Sequence, residues 1–171
     1  MTTTTTTTTA TTTNQLTVTA EPGSHSITMT REFDAPPALV LRAHTEPDLL
    51  KQWLGPHGYE MIVETYEPVH GGSYRYLHRD AEGNEFAFRG VFHGTPSVDG
   101  LVQTFEWEGA PGQVSLDQMQ MVDLGGRTRI VTTSVFPTVE MRDALIENGM
   151  ETGVREGYDR LDGVLATLAT A

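Results

Sequence analysis

A chain of 171 residues with 37% hydrophobic and 20% charged residues is long enough for one domain with a substantial core. Its formal net charge of −12 opposes binding to phosphate backbones and to anionic membrane surfaces. The absence of cysteine excludes disulfides, thiolate catalysis and cysteine-ligated zinc. No apolar run reaches the length of a membrane span and no targeting signal is visible, so we expect a cytoplasmic protein.

The first 24 residues offer little to bury. Residues 2–13 are threonine except for Ala10, and only Leu16 and Val18 supply much apolar surface before residue 25. We therefore predict that residues 1–24 are a disordered, threonine-rich tail and that residues 25–171 form a single domain. Because threonine favours strands, pairing of the tail with a sheet edge is the alternative.

A strand and two short helices are predicted next. Residues 26–33 alternate apolar and polar side chains, which is typical of a half-buried strand. The first helix opens with Pro36 and Pro37, where a missing N–H group costs nothing. The second helix is expected to begin after a Thr45 cap and to end at Gly55.

The middle of the chain reads as a series of strands. Glycine pairs at 71–72 and 125–126 mark two of the turns. Because the turns are short, the sheet is predicted to be antiparallel. The expected strands after the helices are residues 60–67, 73–78, 85–93, 101–108, 114–124 and 127–136.

From Thr138 onward the apolar spacing changes to steps of three and four, which predicts one long amphipathic helix with Thr138 as its cap. Gly149, Gly153 and Gly157 recur at four-residue steps. Since glycine is unfavourable in a helix, this spacing indicates close backbone approach or space left open. The apolar stripe consists of Ile146, Met150, Val154, Tyr158, Leu161, Leu165 and Leu168.

Taken together, these segments resemble the SRPBCC superfamily, whose members have the START-like or birch-pollen-allergen-like fold. Within it, the chain is similar to the family named after the C-terminal domain of the heat-shock-protein-90 ATPase activator. The stretches that carry the resemblance are REFDAPPALVLRAHTEPDLLKQWLGP at 31–56, GGSYRY at 71–76, Phe-x-Trp at 105–107, GGRTRI at 125–130 and GMETGVREGYDRLDGVLA at 149–166.

The resemblance implies an α+β helix-grip fold. In this fold a curved antiparallel sheet of about six to seven strands wraps around a long C-terminal helix, and two short helices follow the first strand. An apolar cavity usually lies between sheet and helix. Members include ligand carriers, cyclase-like enzymes and co-chaperone domains, so the fold alone does not fix the function.

The aromatic strand faces are the candidate ligand-binding surface, because apolar pockets with a few polar groups are typical small-molecule sites. We expect most of these rings to face the C-terminal helix, with Trp53 and Tyr59 near the mouth of the cavity. The alternative is a filled hydrophobic core. The predicted ligand-binding residues are Trp53, Tyr59, Tyr74, Tyr76, Phe88, Phe92, Phe105, Trp107, Met150, Val154 and Tyr158.

Catalytic and metal-binding signals are weak. The six histidines show no metal-ligand spacing, so neither a metal nor a cofactor is expected. His78 shares a strand face with Tyr74 and Tyr76 and could act as a base in the cavity, but an exposed position at a strand end is the favoured interpretation. No catalytic residue is assigned.

Three functions remain open at this point. The first is a module that binds a lipid-like, aromatic or polyketide-like small molecule. The second is a cyclase or dehydratase that uses His78, Tyr76 or Tyr158 as acid or base. The third is a module that binds a chaperone ATPase or acts in a stress response.

Overall fold

The computed structural model describes residues 14–171, and they form an antiparallel sheet that packs against helices. The predicted α+β helix-grip architecture is confirmed, with eight strands in place of the expected six or seven. In chain order the elements are β1 Thr17–Thr19, β2 Ser26–Phe33, α1 Pro37–Thr45, α2 Pro47–Leu50, β3 Glu60–Tyr66, β4 Ser73–Arg79, β5 Glu85–Val91, β6 Gly100–Trp107, β7 Val114–Asp123, β8 Thr128–Val135, α3 Val139–Glu147 and α4 Met150–Ala169.

The strand order is β1-β2-β8-β7-β6-β5-β4-β3. Helices α1 and α2 connect β2 to β3, which lies at the opposite edge of the sheet. The six strands β3 to β8 then return as neighbours, which brings β8 back to β2. The β2–β8 pair runs in unbroken register from Ser26 opposite Val135 to Phe33 opposite Thr128.

The additional strand is β1, which falls within the predicted tail. Thr17–Thr19 pairs with residues 28–30 of β2, and Leu16 and Val18 pack against a small core cluster around Ile27. Within the predicted tail, this segment thus follows the alternative of pairing with a sheet edge, held by its hydrogen bonds to β2 and by the packing of Leu16 and Val18. Residues 1–13, to which the same prediction applied, lie outside the described residues.

The second of the two short helices begins differently from the prediction. Pro36 is the N-cap of α1 and Glu46 is the N-cap of α2, and neither uses a side-chain hydrogen bond. The Thr45 hydroxyl donates to the Leu41 carbonyl 2.8 Å away, one turn back in α1, so it does not cap α2. Threonine at a helix C-terminus readily makes this bond to the preceding turn.

The C-terminal helical segment is divided in two. Thr138 caps α3 as predicted, since its hydroxyl accepts from the Met141 N–H at 3.1 Å. The helix then stops at Asn148, and Gly149 adopts a φ of +81° before α4 begins. A glycine in this left-handed conformation is the usual way to end a helix. The apolar spacing continues across the break, which is why the sequence indicated one helix.

The hydrophobic core lies between the sheet and helices α1 and α4. Phe33, Val40 and Leu161 are fully buried there. In β7, Met119 and Met121 face the core whereas Leu116 and Val122 are exposed. None of the helices formed by residues 14–171 has both the length and the apolar content needed to cross a membrane.

Candidate functional site

A cavity of about 400 Å³ lies between the sheet and the helices and is partly open to solvent. Strands β2 to β8 line one side, and α4 with the segment 53–56 lines much of the other. Its volume falls within the range of about 300–1,000 Å³ that is common for small-molecule sites. The cavity is bounded mostly by apolar and aromatic side chains, with a smaller group of polar ones.

Eight of the eleven predicted ligand-binding residues lie on the lining of this cavity. They come from the 53–56 segment, from three neighbouring strands and from α4, which the fold brings together. These residues are Trp53, Tyr74, Tyr76, Phe88, Phe105, Met150, Val154 and Tyr158.

The other three predicted residues lie elsewhere. Phe92 is fully buried and fills the core beside Tyr66 and Tyr74, with ring centroids 5.6 and 5.5 Å away. Tyr59 precedes β3, is 37% exposed and packs on Phe86. Trp107 ends β6, where its ring lies over Gly109 and is 43% exposed. Strand alternation gave the side on which Trp107 points but not how far the cavity extends.

A ladder of stacked rings forms one wall of the cavity. The Tyr74 and Tyr76 centroids are 5.9 Å apart, the Tyr76 and Phe88 centroids 5.5 Å apart, and the Phe88 and Phe105 centroids 5.4 Å apart. The interplanar angles are 15°, 28° and 23° in that order. The ladder presents flat apolar faces across β4, β5 and β6, a surface suited to aromatic or extended aliphatic groups.

Gly90 makes room for one rung of this ladder. The Tyr74 hydroxyl donates to the Thr104 carbonyl at 2.6 Å, through a gap in the β5–β6 pairing. A Cβ atom on Gly90 would lie 2.0 Å from that carbonyl oxygen and 2.5 Å from the Tyr74 hydroxyl. The absence of a side chain at Gly90 therefore lets a buried phenol satisfy its hydrogen bond within the sheet. Burial also raises the pKa of Tyr74 and Tyr76 well above the usual range, so both stay protonated.

The glycines of α4 serve two different purposes. Gly153 lines the cavity, and a Cβ atom there would meet nothing within 4 Å. A Cβ atom on Gly157 would lie 3.1 Å from the Trp53 carbonyl oxygen, so this glycine permits close approach of the 53–56 segment. The two explanations considered for the spacing, open space and close packing, thus apply to different members of the series.

Two histidines on the lining are neutral at physiological pH. Burial lowers the pKa of His44 to about 4, and its Nδ1–H donates to the Val40 carbonyl at 2.7 Å. The pKa of His78 is also lowered to about 4, first by burial and then by the charge of Arg160. His78 is only 7% exposed, and its Nε2 atom has no hydrogen-bond partner. The favoured expectation of an exposed His78 is wrong, because Gly55 packs directly on its ring.

A row of polar side chains crosses strands β6, β7 and β8. The strand register sets Gln103 opposite Asp117 and Asp117 opposite Ser134, and all three residues line the cavity. The Ser115 hydroxyl donates to the Asp117 carboxylate at 3.1 Å. Removal from water raises the pKa of Asp117, although hydrogen bonds from Ser134 and Ser115 oppose this effect.

Sequence reasoning missed this row because β7 carries apolar residues on both faces. The choice between its inner and outer face depends on packing that periodicity does not show. Within residues 14–171, no three acidic or histidine side chains lie in a group that could hold a metal ion.

Comparison with solved structures shows the same fold in bacterial proteins. A Rhodobacter sphaeroides protein is 28% identical with a TM-score of 0.81, over 90% of this chain and 99% of that chain. An Arthrobacter aurescens protein is 27% identical with a TM-score of 0.81, over 88% and 91% of the two chains. A Mycobacterium smegmatis protein, 18% identical with a TM-score of 0.79 over 88% of this chain and 97% of its own, shares the fold.

No curated protein matches the chain. A family model described as "Activator of Hsp90 ATPase homolog 1-like protein" matches residues 34–166, which include the segment after β2, the whole sheet from β3 onward and most of α4. This match confirms the resemblance drawn from the sequence. The chain belongs to the Activator of Hsp90 ATPase homolog 1-like family.

Proposed function

We propose that this protein binds an apolar small molecule, of a lipid-like, aromatic or polyketide-like class, in the cavity between sheet and α4. The observation that carries the proposal is the unfilled volume of about 400 Å³ beside the ladder of rings. Side chains in a close-packed interior normally leave few voids larger than a water molecule. A cavity of this size, lined by aromatic faces and a few polar groups, has the composition of a ligand site.

A neutral fluorescent probe tests the proposal. N-phenyl-1-naphthylamine emits strongly only in apolar surroundings, and we expect it to bind one site per chain and to raise the melting temperature. At about 100 times its dissociation constant, a ligand adds about 2.7 kcal/mol to the free energy of unfolding. No change in emission or melting temperature with this probe and with neutral aliphatic and aromatic compounds of similar size would contradict the proposal.

Two glycines of the same helix give a matched pair of variants. Gly153→Leu places a side chain in the cavity, whereas Gly163→Leu places one at an exposed position outside the lining, and neither Cβ meets an atom within 4 Å. Both variants gain helix propensity. We expect only Gly153→Leu to weaken probe binding, by about tenfold or more. Equal affinity in the two variants would place the probe outside the cavity.

A second candidate is an enzyme of the cyclase or dehydratase type. His78 favours it, because an unpartnered, neutral imidazole nitrogen on a cavity wall can accept a proton from a bound substrate. Tyr76 and Tyr158 also line the cavity. Mass spectrometry of any bound compound after incubation tests this reading. Conversion that His78→Gln abolishes, without loss of binding, would support it over simple binding.

A role beside a chaperone ATPase is the third candidate and rests on the description of the family alone. A chaperone pull-down with the full chain tests it. Retention of the chain together with an increased ATPase rate would support this role, and an unchanged rate would count against it.

A further inference from the structure

The charged groups on the cavity wall are strongly asymmetric. Among the described residues that line the cavity, Asp117 is the only carboxylate and there is no lysine or arginine. The two histidines on the wall, His44 and His78, have pKa values lowered to about 4 and are neutral near pH 7. Near pH 7 a full charge on this lining can therefore come only from Asp117, and it is negative.

Asp117 differs from other carboxylates of the sheet because it has no arginine partner among the described residues. Glu32, Glu106 and Glu108 each bond to an arginine, at 2.8, 2.7 and 2.8 Å. Among the residues that the structure describes, the hydrogen-bond partners of the Asp117 carboxylate are the hydroxyls of Ser115 and Ser134, and it forms no salt bridge. An acid withdrawn from water without a cation is costly, unless a bound group supplies the missing positive charge.

The surroundings of Asp117 suit an ammonium group. Gln103 and Ser134 flank it on the neighbouring strands and offer further oxygen acceptors for the three N–H donors of an ammonium. Phe105 and the tyrosines of β4 line the same cavity, and aromatic faces attract cations. A fatty acid would find no lysine or arginine among the lining residues and would meet Asp117 as a like charge, and the nearby Arg160 lies outside the lining.

We propose that the ligand of this cavity is an amphipathic amine, with its ammonium paired to Asp117 and its apolar body against the ring ladder. This inference rests on the proposed function and narrows the ligand class. It separates amines from the fatty acids and neutral lipids that an apolar cavity alone would admit. The chain's net charge of −12 also favours the approach of a cation.

Three compounds with the same eight-carbon chain test the inference: octylamine, octanol and octanoate. Affinities are measured with the full chain near pH 7, by calorimetry and by displacement of N-phenyl-1-naphthylamine. We expect octylamine to bind about tenfold or more tightly than octanol, and octanoate to bind most weakly. If octanol binds as well as octylamine, or octanoate binds best, the inference is wrong while the proposed function stands. If none of the three binds and the probe does not bind, the proposed function itself fails.

Two variants that each remove one negative charge test whether the preference for octylamine comes from Asp117. Asp117→Asn removes the carboxylate from the cavity, and Glu147→Gln removes an exposed carboxylate at the end of α3. We expect Asp117→Asn to abolish the preference for octylamine over octanol while octanol affinity is retained, and Glu147→Gln to change neither. An unchanged preference in Asp117→Asn would overturn the inference.

A pH series on the unmodified chain gives a readout that does not depend on folding of a variant. Octylamine should bind more tightly as pH rises through the titration of Asp117, whose pKa is raised by burial, whereas octanol should not. The other titratable groups near Asp117 are Tyr74, Tyr76 and Tyr158, which stay protonated in this range. His44 and His78 on the cavity lining lose their charge near pH 4, which would also favour octylamine, so the series is read above about pH 5, where both rings are mostly neutral. A flat octylamine profile would overturn the inference.

Discussion

Acid should destabilise this protein through His44, the buried histidine of α1. The folded chain holds the His44 ring neutral, with a pKa of about 4, because burial disfavours its charged form. In the unfolded chain the same ring has a pKa of about 6.5. A depressed pKa in the folded state means that the unfolded chain binds more protons between these values. The stabilisation is therefore complete above about pH 6.5 and is lost as pH falls towards 4.

The magnitude follows from the difference between the two pKa values. Each pKa unit corresponds to about 1.4 kcal/mol in the free energy of unfolding. With a folded pKa of about 4, complete protonation of His44 therefore lowers that free energy by about 3 kcal/mol, and roughly 2 kcal/mol of this is already lost at pH 5. Carboxylates also titrate in acid. A comparison between variants removes their contribution, because it is the same in each.

The assay is urea unfolding of the unmodified chain and of His44→Gln at about pH 7.5 and pH 5. We expect the difference in free energy of unfolding between them to shrink by about 2 kcal/mol at the lower pH. His93→Gln, at an exposed histidine, is the control and should show no such change. A difference for His44→Gln that stays constant with pH, or an NMR pKa for His44 near 6.5, would refute the reasoning.

Three further predictions concern the backbone and can be checked by urea unfolding. Gly90→Ala should destabilise the sheet severely, since its Cβ would lie 2.0 Å from a backbone carbonyl oxygen, and failure of this variant to lose stability would contradict the proposed packing of Tyr74. Gly153→Ala should stabilise α4 by up to about 1 kcal/mol, because its Cβ meets no atom within 4 Å. Gly157→Ala should stabilise less, or destabilise, because its Cβ would lie close to the Trp53 carbonyl oxygen. A larger gain in stability for Gly157→Ala than for Gly153→Ala would be inconsistent with the structure. Thr138→Ala should cost about 1 kcal/mol through loss of the α3 cap, and Thr138→Ser should retain most of it.

Much of the fold could be predicted because its signals are local. The apolar–polar alternation of residues 26–33 and the paired glycines at 125–126 correspond to β2 and to the β7–β8 turn. The break at Gly149 was missed because the apolar stripe continues across it, and periodicity carries no information on φ. Edge pairing of the segment that forms β1 was only the alternative to disorder, because the strand depends on β2 as a partner and its own composition does not show that partner.

The candidate site was predictable to the extent that it follows from strand faces. Alternation placed Tyr74, Tyr76, Phe88 and Phe105 on one side of the sheet, and they line the cavity. The polar row around Asp117 depends on which strands are neighbours and in which register, and this information is spread over three segments of the chain. Such a row can be predicted from the sequence only after the strand neighbours and their register are known.

The two outermost strands bear on how this protein behaves in concentrated solution. An open sheet ends in strands whose free N–H and C=O groups can recruit another chain. Here β1 is only three residues long, and β3 carries a register shift between Val63 and Thr65. Short or irregular terminal strands offer poor templates for a further strand. Strand β1 thus covers residues 28–30 of the longer, regular β2 and limits its pairing with another molecule.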